Sequence, residues 1–163
     1  MSPGDPLPEA ARRALADWRA AGERIVFTNG VFDLLHRGHA EYLATARALG
    51  GRLVVGVNTD ATVRRLKGPT RPNVAAVDRA ALLEALACVD LAVTFDEDTP
   101  ARLIEAVRPD VLVKGGDWKV EQIVGRELVE SWGGRVLSLP LREGCGTSAL
   151  VERIRAGRSA LDP

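Results

Sequence analysis

A charge imbalance is the first thing this sequence lacks. Lys plus Arg number 22 and Asp plus Glu number 22, for a formal net charge of zero. Proteins that grip nucleic acid normally carry a basic excess, so the composition argues against a nucleic-acid partner. An anionic ligand would have to be held by a local cluster of cations, which suits a small phosphorylated molecule. Cysteine is scarce: Cys88 and Cys145 lie far apart without CxxC spacing, which indicates neither a zinc site nor a disulfide framework. Cys88 falls in the apolar run 82–93 and reads as a small buried hydrophobe. No run reaches the ~18 apolar residues of a membrane span, and Met1-Ser2-Pro3-Gly4-Asp5-Pro6 has no apolar secretion core. The expectation is a soluble, cytoplasmic protein with no membrane partner. Neither GxxxxGK followed by Ser or Thr, nor GxGxxG after a strand, occurs, which removes P-loop kinases and standard dinucleotide dehydrogenases.

What is present is an alternation of helical patterns and short apolar runs. The 163 residues suit one domain with one substantial core, at 46% hydrophobic and 27% charged residues. After a Pro-rich tail at 1–7, expected to fray, a helix is predicted over 8–21 with Ala11, Leu15 and Trp18 on one face. Strands are predicted at 24–28, 53–57, 91–95, 111–113 and 135–139. Helices are predicted at 38–49 (stopped by Gly50-Gly51), 60–66, 77–87, from Asp98, at 120–132 and from Thr147. Residues 67–73, crowded with Gly68, Pro69 and Pro72, read as a mobile loop. Continuous apolar strands imply a parallel sheet covered on both faces. The expected fold is a single doubly wound, Rossmann-like α/β domain of about five strands. It runs over 23–157, with an N-terminal tail and helix at 1–22 and a C-terminal tail at 158–163. Such sheets bind ligands at the carboxyl ends of their strands, which selects the loops after Thr28, Val57, Val113 and Leu139.

The first of these loops, Thr28-Asn29-Gly30-Val31-Phe32-Asp33-Leu34-Leu35-His36-Arg37-Gly38-His39, holds both histidines of the chain. Three apart at a helix start, His36 and His39 can turn their rings the same way, with Gly38 between them leaving room for a ligand. A helix N-terminus adds free N–H groups and a favourable dipole for an anion. Asp33 fits either an acceptor for a neighbouring N–H or a group facing a substrate or Mg²⁺, and no second carboxylate nearby in sequence completes a metal site. Lys67, Arg71 and Arg79 cluster in and after the 67–73 loop, where cations could screen a triphosphate. Gly115-Gly116, in Val113-Lys114-Gly115-Gly116-Asp117-Trp118, would let backbone groups approach a flat base. Asp117 reads equally as a turn residue, and Trp118 as packing or stacking. Glu143-Gly144-Cys145-Gly146-Thr147-Ser148 opens the last helix, with Thr147 or Ser148 as N-cap and a second anion site.

TNGVFDLLHRGH resembles the signature of the cytidylyltransferase-like branch of the HxGH nucleotidylyltransferases. Over about 23–156, NTDATVRRLKGPTRP, DEDTPARLIEAVRPDVLVKGGDW and EGCGTSALVERI resemble the adenylyltransferase domains of ADP-heptose synthases. The resemblance implies transfer of AMP from ATP to D-glycero-β-D-manno-heptose 1-phosphate. A cytidylyltransferase acting on glycerol 3-phosphate or a similar alcohol phosphate is the alternative. It implies catalytic roles for His36, His39, Lys67 and Arg79. Nucleotide contacts would come from Thr28, Asn29, Gly30, Phe32, Lys114, Gly115, Asp117, Thr147 and Ser148, and acceptor contacts from Asp33, Asn58 and Arg71. Related enzymes commonly place a third hydroxyl residue where this chain has Gly146. Mg²⁺ would ride mainly on the ATP phosphates with no dedicated protein ligands, a separate sugar kinase would supply the acceptor, and a homodimer is compatible with the reading.

Overall fold

The computed structural model describes residues 4–159. Thirteen elements follow one another: α1 (Glu9–Ala20), β1 (Ile25–Gly30), α2 (Arg37–Arg47), β2 (Arg52–Asn58), α3 (Asp60–Lys67), α4 (Ala76–Glu84), β3 (Leu91–Phe95), α5 (Ala101–Val107), β4 (Val111–Gly115), a 3-10 turn (Val120–Gln122), α6 (Arg126–Ser131), β5 (Arg135–Leu139) and α7 (Thr147–Arg155). All four strand pairings are parallel, in the order β3-β2-β1-β4-β5. Side chains alternate between the two faces of the strands. Ile25, Phe27, Val54 and Leu112 pack with α1, α5 and α6 residues such as Leu15, Leu103, Ile104 and Val129. Val26, Leu53, Val55 and Val113 pack on the other side with Tyr42, Leu43, Ala46 and Leu83 of α2 and α4. This is the doubly wound sheet expected from the apolar runs. No helix among the described residues is long and apolar enough to cross a membrane.

Three local expectations change. The start of the chain is anchored from Asp5 on: Asp5 accepts hydrogen bonds from Leu7 N and Arg12 Nη1, and Leu7 is buried in the core. Cys88 is half-buried at the edge of the core. The predicted 120–132 helix is broken into the 3-10 turn and α6, because Gly125 adopts φ 90°, and a side chain there would strike Ile104 Cδ1 at 2.6 Å. The broken stretch lies across the carboxyl end of β4 instead of continuing α6. The expected C-terminal tail lies outside the described residues from 160 on.

The strand order reverses at β1, the topological switch point. β1 stays paired to β2 as far as Gly30↔Val57, but pairs with β4 only at Val26↔Val111 and Phe27↔Leu112. Past Phe27 the two strands part, and the crevice between them opens directly under the loop that carries both histidines.

Candidate active site

Two adjoining cavities occupy this crevice. The larger, about 460 Å³, is lined by Phe32, His39, Tyr42, Arg71, Thr147 and Ser148 among others. The smaller, about 290 Å³, reaches toward Asn58, Thr99, Pro100, Gln122 and Val124. Asn29, Gly30, Val31, Lys67, Lys114 and Trp118 line both and form the wall between them. Lys67 is the last residue of α3, beside Gly68 at φ 96°, so its exposed side chain starts at the mouth of both chambers.

His36 is the N-cap of α2 in extended conformation and makes no capping bond through its side chain. Its ring stacks on that of His39, centroids 3.9 Å apart, and Phe32 meets the His39 ring edge-on at 5.3 Å. Both Nδ1 atoms are buried without a hydrogen-bond partner. Burial, and then the neighbouring His36, push the His39 pKa down to about 4, and burial lowers that of His36. At neutral pH both rings are therefore uncharged in the free site and act as N–H donors. Gly38 serves packing and leaves no ligand space: a side chain there would strike Cys145 Cβ at 2.9 Å and the His36 ring at 3.1 Å. That contact brings the start of α2 against the loop leading into α7. Glu41 of α2 ties the same loop down by accepting hydrogen bonds from Arg142 at 3.1 Å. Two helix N-termini thus meet at one end of the larger chamber. Gly146 is the N-cap of α7 and provides no side-chain bond, which makes Thr147 and Ser148 first-turn residues and leaves neither in the capping role the sequence suggested.

The C-terminal end of the 67–73 stretch is tied down. Asp33, 2% exposed, accepts hydrogen bonds from Arg71 Nε (2.7 Å), Asn73 N (2.7 Å), Asn73 Nδ2 (2.8 Å) and Val74 N (2.9 Å). Burial alone would raise its pKa, but these donors outweigh it and hold the carboxyl below its ordinary value. Asp33 is thus the anchor of the loop and has no capacity left for the substrate contact expected of it. Arg71 is braced by Asp33 yet still faces the larger chamber.

Arg79 is the clearest correction. The sequence placed it on a phosphate, but it is 1% exposed and faces neither chamber. Its guanidinium donates to Val74 O (2.8 Å), Val31 O (2.6 Å) and Asp60 Oδ1 (2.7 Å), joining three segments that frame the crevice. Thr28 is fully buried, its hydroxyl bonded to Tyr42 Oη at 2.6 Å, so its side chain is unavailable to a nucleotide. Asp117 is exposed and lines neither chamber, because Gly116 at φ 113° turns the chain away. Lys114, Gly115, Asn29, Gly30, Phe32, Thr147 and Ser148 do line the larger chamber, and Asn58 the smaller one. Burial, and then the charge of Lys67, lower the Lys114 pKa. Its ammonium lies 5.8 Å from the Trp118 ring centroid, and Trp118 is a half-exposed wall residue. Tyr42, Gly146, Thr99 and Gln122 also line the chambers and carry no motif that would have marked them in the sequence.

No three His, Cys, Asp or Glu residues converge on a metal position among the described residues. The carboxylates lining the chambers are Asp33, saturated as above, and Asp98, paired with Arg65 at 2.9 Å. This donor set fits a cation carried by phosphate oxygens rather than by a protein cage.

A switch-point crevice holding an HxGH pair between two helix N-termini defines the nucleotidylyltransferase class. The cytidylyltransferase-like family model matches residues 27–141, and the chain belongs to that family. The bifunctional protein HldE of Magnetococcus marinus is 56% identical over 146 residues, covering 90% of this chain and 30% of that protein. The HldE of Pseudomonas aeruginosa is 58% identical over 142 residues, covering 87% of this chain and 30% of its own length. The chain therefore spans about 30% of the curated relatives it matches. The crystal structure of the lipopolysaccharide core biosynthesis protein from Thermoplasma volcanium is 32% identical with a TM-score of 0.60, over 74% of this chain and 98% of that one.

Proposed function

We propose that this protein transfers AMP from MgATP to a heptose 1-phosphate, giving ADP-heptose and pyrophosphate. The observation that carries the reading is the wall shared by two chambers, where Lys67 and Lys114 face both cavities at once. Such a wall suits a reaction between two phosphate-bearing ligands held on either side of it. An oxygen of the acceptor phosphate attacks the α-phosphorus of ATP. The new P–O bond forms as the bond from the α-phosphorus to the α,β-bridging oxygen breaks, and the electron pair leaves with pyrophosphate.

No general base is required. A phosphomonoester with a second pKa of about 6 is already largely dianionic at neutral pH. The work left to the protein is alignment and stabilisation of charge on the transferring group and the leaving group. The N–H groups of His36 and His39, the first turns of α2 and α7, and the Lys67 ammonium are the donors for that work. The histidines meet the triphosphate as neutral N–H donors, and Lys67 and Arg71 bring the positive charge to the larger chamber. Mg²⁺, bound through the triphosphate, would neutralise charge between the leaving oxygens. The acceptor has to be made by a sugar kinase activity.

The choice of ATP over CTP, and of heptose over an alcohol phosphate, rests on the resemblance of VKGGDW and the GCGTS segment to ADP-heptose synthases. Pyrophosphate release measured with ATP or CTP, each combined with heptose 1-phosphate or glycerol 3-phosphate, tests it. The ATP–heptose pair should exceed the other three. Preferential turnover of CTP with glycerol 3-phosphate would replace the reading with the alcohol-phosphate alternative.

A further inference from the structure

Resting on the reading above, with the triphosphate at the α2 and α7 N-termini of the larger chamber, we propose that Tyr42 is a positioning residue for the nucleotide. Braced by Thr28, its ring holds the Gly115 backbone in place across the open seam between β1 and β4. The seam is open because these strands share only the pairs Val26↔Val111 and Phe27↔Leu112. Each keeps its outer neighbour well past that point, β1 as far as Gly30↔Val57 and β4 as far as Gly115↔Leu139. Two half-sheets therefore face each other here without ladder hydrogen bonds between them. Asn29 and Gly30 on one edge, and Lys114 and Gly115 on the other, line the larger chamber. Their separation decides how a ligand fits between them, and it has to be set by something other than the ladder.

Tyr42 meets both edges. Positions two apart share a face of a strand, so Thr28 and Gly115 look toward α2, as Val26 and Val113 do. Tyr42 is buried on α2, with its Oη 2.6 Å from Thr28 Oγ1 on β1. Its ring lies against Gly115 on β4, where a Cβ would stand 3.1 Å from Cε2 and 3.2 Å from Cζ. Burial pushes the Tyr42 pKa up to about 12, so the brace joins two neutral hydroxyls throughout the neutral range. Gly115 does not have the left-handed backbone that calls for glycine; its neighbours are what exclude a side chain. One of them, Leu141 Cδ2 at 2.9 Å, is the tip of a half-exposed side chain and can swing aside. The Tyr42 ring cannot, because it is pinned at its hydroxyl and packed in the core. Glycine at 115 is therefore a requirement of the Tyr42 ring, and the two form one device that spaces the strands.

The test is calorimetric binding of the magnesium complexes of α,β-methylene-ATP and α,β-methylene-CTP, well below Tm, with a thermal melt of every variant. Gly115→Ala should weaken the analogue that wild type prefers by about tenfold, within the range over which residues in contact couple. Tyr42→Leu, which leaves no atom in the place of Cε2 or Cζ, should weaken it by a similar factor. In the double variant the alanine no longer meets the ring, so binding should be no weaker than in Tyr42→Leu alone. A role confined to stability would lower Tm and leave the affinity of the folded protein unchanged. Tyr42→Leu binding like wild type, or Gly115→Ala costing the same in both backgrounds, overturns the role of Tyr42 and leaves the proposed reaction standing. Tyr42→Phe keeps the ring and removes only the brace, and it carries the test if Tyr42→Leu does not fold. It should bind about two- to tenfold more weakly, as loss of a neutral hydrogen bond does, and wild-type affinity overturns the proposal. Failure of the wild type to bind either analogue overturns the nucleotide site and the role of Tyr42 together.

Discussion

Arg79→Met removes a buried guanidinium while keeping a long side chain in its channel. Three acceptors lose their donor: Val74 O, Val31 O and Asp60 Oδ1. Asp60 retains Ala76 N at 2.9 Å, and its side chain is 31% exposed, so water can recover part of that loss. The two carbonyls are the larger concern, because they belong to the 31–33 turn and the 71–74 loop that Asp33 pins together. Breaking a fully buried ion pair by deleting one partner costs about 3–5 kcal/mol, and the 31% exposure of Asp60 puts this change at the lower end, about 3 kcal/mol. For a domain of this size each kcal/mol lowers Tm by roughly 2–4 °C, so a fall of roughly 6–12 °C is expected. The assay is a thermal melt in parallel with pyrophosphate release, each with and without saturating MgATP. If Arg79 is structural, destabilisation appears without ligand, and activity measured well below Tm falls mainly because the crevice is less well framed. A variant that melts with wild type but has lost most of its kcat would refute this account and return Arg79 to the phosphates.

The remaining expectations concern the two chambers. His36→Ala and His39→Ala should each lower kcat by ~10²–10³ while leaving the melting curve near wild type, the usual effect of deleting one donor to a developing charge; near-normal turnover in either would sink the phosphate-clamp assignment. The His39 pKa is about 4 in the fold and about 6.5 in the unfolded chain. Falling pH therefore protonates the unfolded state first: the contribution is complete above about pH 6.5 and is lost as pH falls toward about 4. Unfolding free energies from urea titrations at pH 7 and 5 should differ by about 2 kcal/mol more in wild type than in His39→Phe, and an equal pH dependence in the two proteins would rule the effect out. Thr147→Val should cost roughly tenfold in kcat/KM, as loss of a hydrogen bond to a charged group does, with no change in Tm, since Gly146 is the cap; lost stability with unchanged kinetics would make the residue structural.

The sheet was legible because each strand is a continuous apolar run, a pattern that only a two-faced burial explains, and the HxGH loop because its residues act within twelve positions of one another. Arg79 was misread for the opposite reason. Its partners Val31 and Asp60 lie 48 and 19 residues away, and nothing local distinguishes an arginine that seals a crevice from one that grips a phosphate. For Asp33 the sequence left a structural acceptor and a substrate contact both open, because its donors Arg71, Asn73 and Val74 lie 38 to 41 residues away. Gly125 sits inside a helical pattern, where one glycine is tolerable; the left-handed backbone that interrupts the helix there, and the nearness of Ile104 that excludes any side chain, are tertiary facts with no local mark. Thr147 and Ser148 looked like caps, but the helix opens at Thr147 with Gly146 in extended conformation as its N-cap, so both fall in the first turn, where they line the larger chamber. Gln122 and Thr99 carried no motif, since the segments that bring them to one chamber lie on opposite sides of β4 in the chain.

The central claim is that the acceptor's own phosphate oxygen attacks the α-phosphorus at the shared wall. Heptose 1-phosphate labelled with ¹⁸O in its terminal phosphate oxygens, incubated with unlabelled MgATP and the protein, tests it by mass spectrometry and ³¹P NMR. The account predicts a sugar–nucleotide product with ¹⁸O in the bridge between its two phosphorus atoms, and pyrophosphate free of label. Label in the pyrophosphate, or release of ADP in place of pyrophosphate, would contradict it.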